Sequence, residues 1–349
     1  MDIVALGWTE ELARAFVPHA AAGLVPARVA LEHKHAYELF AASGELKAEL
    51  IGRLLNDFTR AELPAVGDWV AVEERADRKR ARIHAVLPRR TRFSRRAAGE
   101  RAEEQIIAAN IDTVFLLSGL DADFNPRRIE RYLALARGSG AQPVIVLNKS
   151  DLCPETDARL ATVRALAGGA PVFAISAENG GGVEALSPYL AVGKTVALLG
   201  SSGVGKSTLA NRLLGDARQA VGAVRAHDDR GKHTTTHREI LVLPGGALLV
   251  DTPGMRELQL WDSAREGLAT VFPEVVELAN GCRFRDCRHE SEPDCAVRAA
   301  VAAGRLAPER FASFKKLRAE LEARESATQS GARGRGGESW TKGRRIMRS

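Results

Sequence analysis

Gly200, Ser201, Ser202, Gly203, Val204, Gly205, Lys206 and Ser207, with Thr208 behind them, are the stretch that decides the fold. An apolar run, Val196 to Leu199, enters it, and Leu209, Ala210, Leu213 and Leu214 leave it at helical spacing. That is the strand, loop and helix context a phosphate loop needs. The glycines let backbone N–H groups converge on phosphate oxygens. Lys206 is placed to reach the β and γ phosphates, Ser207 to ligate Mg²⁺, and the new helix turns its positive end to the anion. A glycine-rich turn serving no phosphate is the alternative, and the full pattern in this context argues against it.

Upstream, Asn148, Lys149, Ser150 and Asp151 close the apolar strand Pro143 to Leu147. The Asp151 carboxylate can accept from both the imino and exocyclic amino protons of guanine, which adenine cannot present together. GTP is therefore the expected nucleotide, with GDP as its product. Asn148 is expected to bond the six-membered edge of the base or the turn beneath it. The stem of Lys149 would pack along base and loop, and Ser176 and Ala177 read as the companion turn. Alone, Asn-Lys-Ser-Asp is a common polar turn; the strand before it and the phosphate loop after it give it weight.

Downstream come Thr234, Thr235 and Thr236. Thr235 is the expected hydroxyl for Mg²⁺ and N–H for the γ-phosphate, and the polar, glycine-dotted segment 221–232 suits a nucleotide switch. Asp251 ends the strand Ala247 to Val250, where it can hold Mg²⁺ through water, and Gly254 can give its N–H to the γ-phosphate. The GTPase set is complete, but base-reading residues precede the phosphate loop, so the order is circularly permuted. Met255 occupies the position where many GTPases carry a water-orienting Gln. His233, beside the threonines, is the candidate to orient or deprotonate water; a solvated switch histidine is the alternative.

Cys282, Cys287, His289 and Cys295 form a compact Cys₃His set suited to one structural Zn²⁺ with no open position for catalysis. Reduced core cysteines are the alternative, and the charged residues between them speak against it. Cys153 is left over as a plain buried or half-buried thiol. Without a disulfide framework, a reducing cytoplasm is expected.

At 349 residues, the chain suggests two or three domains. Its net charge of +6 favours an anionic partner. No apolar run reaches membrane-spanning length, and the first residues do not read as a secretion signal, so a soluble, unexported protein is expected. Segments 27–33, 37–42, 47–51, 68–73 and 81–87 are short, partly alternating and separated by turn residues, a pattern that suggests a small β-barrel with or without an RNA ligand. Arg89, Arg90, Arg92, Arg95, Arg96 and Arg101 then crowd the join and read as a contact for RNA phosphates, or else as a solvated linker.

Strands at 112–117, 144–147, 172–175, 195–199, 238–243 and 247–251 make a six-stranded α/β sheet, the last pair joined as a hairpin through Pro244, Gly245 and Gly246. Asn125 and Pro126 should start a helix that Gly138 ends. Residues 308–324 have helical spacing through Phe311, Phe314, Leu317 and Leu321, and 327–349 read as a basic disordered tail able to fasten to RNA, with a dispensable solubilising tail as the alternative.

The permuted order, Gly203 to Ser207, the Gly231 to Thr236 run, Asp251 to Gly254 and the cysteine cluster together resemble the ribosome-small-subunit-dependent GTPase A family of bacteria, also called RsgA or YjeQ. Val66 to Val70 is similar to a turn and strand of that family's OB-fold. The resemblance implies an N-terminal region with an OB-fold barrel (1–88), a basic linker (89–105), a circularly permuted P-loop GTPase domain (106–265), a mainly helical zinc-binding domain (266–326) and the tail (327–349). It also implies a monomer acting on the 30S ribosomal subunit and its 16S rRNA late in maturation, with hydrolysis stimulated by the subunit. A nucleotide-gated RNA-binding scaffold with negligible turnover would share every motif and stays open.

Overall fold

The structure, a computed structural model, describes residues 1–33, 36–52, 54, 58–75, 79–96, 104–215, 238–251 and 263–333. Short alternating strands build its first unit: β1 (Val25–Glu32), β2 (Ala36–Ala41), β3 (Gly44–Leu50), β4 (Trp69–Glu74) and β5 (Arg80–Val86). In β3, Leu46 and Ala48 point inward while Glu45, Lys47 and Glu49 face water, the period of two that a half-buried strand requires. β3 pairs parallel to β5, and β1 pairs with β4 to close the ring, so no edge is left among these five. Val29, Leu39, Leu46, Val70, Val72 and Ile83 fill the interior. This is the expected OB-like barrel.

A helix ahead of the barrel, α1 (Glu10–Ala21), was not among the expected elements. Thr9 caps it by accepting from the Leu12 N–H at 3.3 Å, and Leu12 and Phe16 bury one face. Thr9 followed by two acids and an i, i+4 apolar pair is the signal that marks it.

The basic join is not an extended linker. β6 (Arg92–Arg96) and β7 (Glu104–Ala109) form an antiparallel hairpin, and Arg101 lies outside the described residues. Arg89 is spent internally: its guanidinium donates to the buried Asp68 carboxylate at 2.8 and 2.7 Å and to the Ala61 and Leu63 carbonyls at 2.6 and 2.7 Å. Arg90 pairs with Asp112 at 3.3 Å, and Arg95 donates to Gln105. Desolvating an arginine costs too much to leave its donors empty, so Arg89 serves the turn Ala65 to Asp68 rather than an RNA. Gly67 in that turn has φ +92°, and a Cβ there would lie 2.1 Å from the Ala109 carbonyl, so only glycine lets barrel and hairpin approach.

The second unit is a sheet of six strands: β8 (Thr113–Gly119), β9 (Gln142–Asn148), β10 (Val172–Ala174), β11 (Thr195–Gly200), β12 (Arg238–Val242) and β13 (Leu248–Asp251). Their spatial order is β10-β9-β8-β11-β13-β12, all parallel except β12, which forms the expected hairpin with β13. β8 and β9 read as near-continuous apolar runs because helices cover both faces. These are α2 (Pro126–Ser139), α3 (Thr156–Leu166) and α4 (Lys206–Leu214). Asn125 caps α2 as expected, but the helix runs one residue past Gly138 and is capped by Gly140, which holds the left-handed φ of +84°.

Two seams join barrel and sheet. β1 continues past the barrel to pair with β12 at Leu31↔Glu239 and Glu32↔Arg238. Arg28, 1 % exposed, donates to the carbonyls of Leu6, Gly67 (3.4 Å) and Asn110 (3.2 Å) and to Thr195 Oγ1 (2.8 Å). Burial brings this guanidinium down to about 10, against the pull of Asp112.

The C-terminal unit is helical: α5 (Ser263–Val271), α6 (Pro273–Ala279), α7 (Ala296–Ala302) and α8 (Pro308–Arg333). α8 extends beyond the expected end at Arg324 and takes in residues 327–333 of the expected tail; residues 334–349 lie outside the described set. The unit packs on α2. A Cβ at Gly267 would lie 2.0 Å from the Ala134 carbonyl, so α5 and α2 touch backbone to backbone. Arg310 of α8 pins the join, reaching Glu130 at 2.5 Å, Glu274 at 2.7 Å and the Val271 carbonyl at 2.5 Å while stacking over Phe272. No described helix is long and apolar enough to cross a membrane.

Candidate functional site

The C-terminal ends of the parallel strands gather the base-reading and phosphate-loop residues at one edge of the sheet, where open α/β sheets place their ligands. β11 delivers Gly200 into the loop, and Lys206 to Thr208 form the first turn of α4. Gly203 and Gly205 take φ of +77° and +97°, the second so close to Asn148 that a Cβ would lie 2.2 Å from its Nδ2. Ser202, Gly203 and Ser207 are exposed at the loop mouth, while Val204 is buried beneath it. The Lys206 ammonium donates to the Gly200 and Ser201 carbonyls at 2.7 and 2.5 Å, spanning the loop that phosphates would occupy.

β9 delivers Asn148, 3 % exposed, between the two motifs. Its Nδ2 donates to the Val204 carbonyl at 2.8 Å, and its Oδ1 accepts from the Ala177 N–H at 2.8 Å. Both bonds of Asn148 are made within the protein, to the phosphate loop and to the companion turn. Lys149 turns the chain with φ +68° into the single helical turn Ser150–Leu152, leaving Asp151 exposed. The Ser150 N–H meets the Ile175 carbonyl at 3.1 Å, and Ser176 is buried with its hydroxyl accepting from Asn179 N–H. Arg212 of α4 donates to the Ala177 carbonyl at 2.6 Å, so the companion turn is tied to the helix that begins with Lys206.

Two acids that sequence reasoning missed stand beside these motifs. Asp121 pairs with Lys149 Nζ at 2.6 Å, and Asp123 accepts from the Ser201 hydroxyl at 2.7 Å and from Arg128 at 2.5 Å. The Lys149 bond holds Asp121 below the usual carboxylate range, and the Arg128 bond, followed by that of Ser201, does the same for Asp123. Asp251 closes β13 one strand from β11, on the loop side by backbone position. His233, Thr234 to Thr236, Gly254 and Met255 lie outside the described residues.

Far along the chain, the Cys282, Cys287, His289 and Cys295 ligand atoms all lie within 4.8 Å of one another. Cys282 Sγ is 3.6 Å and Cys295 Sγ 3.4 Å from His289 Nδ1, and the two sulfurs are 3.9 Å apart. A tetrahedral ion with bonds of about 2.0–2.3 Å sets donor separations of roughly 3.4–3.8 Å, so the set fits a metal and is too wide for a disulfide. His289 and Asp294 adopt positive φ of +62° and +56° to turn the donors inward. Cys295 also caps α7, its sulfur accepting from the Arg298 N–H. Cys153 is buried, as expected.

The profile of the RsgA GTPase family matches residues 86–261. A protein of Opitutus terrae called small ribosomal subunit biogenesis GTPase RsgA is 57 % identical over 329 residues, covering 92 % of this chain and 90 % of the relative. One of the same name from Syntrophotalea carbinolica is 47 % identical with the same coverage. Among solved structures, YjeQ from Thermotoga maritima aligns with a TM-score of 0.63 at 29 % identity, over 85 % of this chain and 98 % of that one. YloQ, described as a circularly permuted GTPase, aligns with a TM-score of 0.62 at 25 % identity, over 86 % and 96 %.

Proposed function

We infer the working of this site from the premise that the chain belongs to the RsgA GTPase family. It is a GTP hydrolase of small-ribosomal-subunit biogenesis. Our proposal is that it acts as a monomer in the cytoplasm on the 30S subunit and its 16S rRNA, engaging late in maturation when GTP is bound and leaving after hydrolysis. The observation that carries the nucleotide reading is Asn148, whose side chain bonds the phosphate loop and the Ala177 turn at 2.8 Å each. One side chain thus couples the pocket for the base to the pocket for the phosphates.

In this reading Asp151 selects guanine by accepting two N–H bonds, and Ala177 and Ser176 close the base pocket. The N–H groups from Ser201 to Lys206 wrap the β-phosphate, and the Lys206 ammonium moves from its own loop carbonyls to the β and γ oxygens when nucleotide arrives. Ser207, exposed in the first turn of α4, together with Thr235 and Asp251, would hold Mg²⁺, which supplies charge neutralisation at those oxygens. Gly254 steadies the γ-phosphate. His233 orients the attacking water when the subunit is bound. Zn²⁺ is the metal we assign to the Cys₃His set, on its sulfur-rich, nearly closed tetrahedral geometry. The residues between and beside the ligands, Arg283, Arg285 and Arg288 with the half-exposed Phe284, would face rRNA.

The deciding experiment is GTP turnover alone, with purified 30S subunits and with purified 50S subunits. Stimulation by 30S only is expected. Equal stimulation by both, or none by either, overturns the 30S assignment.

A further inference from the structure

We propose that the loop from Leu120 to Asn125 is a positioning element for the nucleotide site, in which Asp121 pre-sets the base-packing Lys149 and Asp123 pre-sets Ser201 of the phosphate loop. The proposal rests on the GTP-binding reading above and adds to it two residues outside the base-reading and phosphate-binding motifs. It also names what Asp121 sets: the discrimination between guanine and other bases.

The loop is itself built rigidly. The Leu120 N–H donates to the Asn148 carbonyl at 2.8 Å, so it starts against the base-reading strand. Asp121 Oδ1 accepts from the Asp123 N–H at 3.1 Å, and the Phe124 N–H closes back on the Asp121 carbonyl at 3.1 Å, a side-chain-mimicked turn of the kind aspartate favours. Arg159 of α3 grips the outside, donating to the Leu120 and Asp121 carbonyls at 3.0 and 3.2 Å while its guanidinium lies over the Phe124 ring. Asn125 then caps α2. Gly119 leaves room for the Asp121 carboxylate: a Cβ there would lie 2.6 Å from Asp121 Oδ1, and its three nearest atoms would all belong to Asp121.

From this frame the two carboxylates reach opposite halves of the nucleotide site. Lys149 has four rotatable bonds, and its ammonium would otherwise sample solvent and the phosphates. Bonded to Asp121 at 2.6 Å, the stem is laid down before the base arrives, and binding then loses less side-chain freedom. The Ser201 hydroxyl is fixed by Asp123 in the same way, with Arg128 at 2.5 Å balancing the charge. An anionic pair this close to a phosphate site would repel nucleotide if left unpaired; here each acid is matched by a cation, so orientation is gained with little net repulsion.

This separates positioning from general stability. Losing Asp121 removes a negative charge near the phosphates, which favours any triphosphate, but it frees Lys149, which harms only nucleotides that use the base contact. Asp121→Ala should therefore weaken GDP by about three- to thirtyfold, the range expected for one half-exposed charge-assisted bond. ATP and inorganic pyrophosphate should not weaken, so guanine-over-adenine selectivity shrinks. Gly119→Ala, which displaces the same carboxylate, should weaken GDP similarly in the wild-type background and add nothing on top of Asp121→Ala.

The test is equilibrium titration of the full chain and these variants with GDP, ATP and pyrophosphate, alongside thermal melts. GDP affinity within twofold of wild type in Asp121→Ala overturns the proposal. Equal losses for GDP and pyrophosphate also overturn it, because they mark a damaged fold. Additive losses in the double variant refute the link through Gly119. If the wild-type chain itself prefers no guanine nucleotide, the functional reading falls first, an outcome distinct from the other three.

Discussion

Replacing Asn148 by Ala should cost more than any single contact to nucleotide, because the side chain satisfies two buried backbone groups at once. Its Nδ2 covers the Val204 carbonyl and its Oδ1 the Ala177 N–H, both at 2.8 Å, at a site 3 % exposed. An orphaned buried polar group costs about 1–3 kcal/mol, so the two together amount to about 2–6 kcal/mol when no water enters. Part of that appears as lost stability of the empty protein. The rest appears as lost nucleotide affinity, since the phosphate loop and the Ala177 turn no longer hold a fixed separation. Urea denaturation with and without saturating GDP separates the shares: the midpoint without GDP reports the first, and the stabilisation added by ligand reports the second. Asn148→Asp is the sharper companion, because it keeps the acceptor for Ala177 but turns a second oxygen on the Val204 carbonyl. A summed loss below about 0.5 kcal/mol in Asn148→Ala, the range of ordinary surface substitutions, would refute the stapling argument.

Asp151→Asn should shift preference from GTP toward xanthosine triphosphate, because the amide donates where guanine's amino group had donated; competition binding of the two reads it, and an unchanged ratio removes Asp151 from base recognition. Cys282→Ser or His289→Ala should release metal, seen by elemental analysis, and loosen the helical unit while GDP affinity stays within a few-fold, since the sites are far apart in the chain. His233→Ala should keep GTP and 30S binding yet lose roughly two or more decades of subunit-stimulated turnover in single-turnover assays; wild-type rates would assign the water's partner to the ribosome.

Much of the architecture was legible because it follows local rules. A period of two exposed the barrel strands, apolar runs exposed the parallel strands, and Asn125 with Pro126 announced α2. What escaped depends on contacts distant in sequence. Arg89 reads as one of a basic run until Asp68, twenty-one positions earlier, is seen to take its charge. Arg28 looks like a surface arginine, yet it is buried and donates to four chain segments, at Leu6, Gly67, Asn110 and Thr195. Asp121 and Asp123 resemble any acidic turn, and only the fold brings Lys149 and Ser201 to them. Gly138 lost to Gly140 as the end of α2 because a helix can pass through a glycine when its packing continues, whereas the left-handed residue must be where the chain turns away.

The strand order also sets a timetable for synthesis. A ribosome making this chain releases β8, β9 and β10 before the other strands of the six-stranded sheet, and these three can pair among themselves as parallel neighbours with their crossover helices. β11, which lies between β8 and β13, arrives afterward and must dock on the waiting edge of β8. The nascent protein thus holds the base-reading half of the site before it has any loop for phosphates. Nucleotide capture is deferred until α4 has left the exit tunnel, while β13 and β12, which follow α4 in the chain, have still to join the sheet.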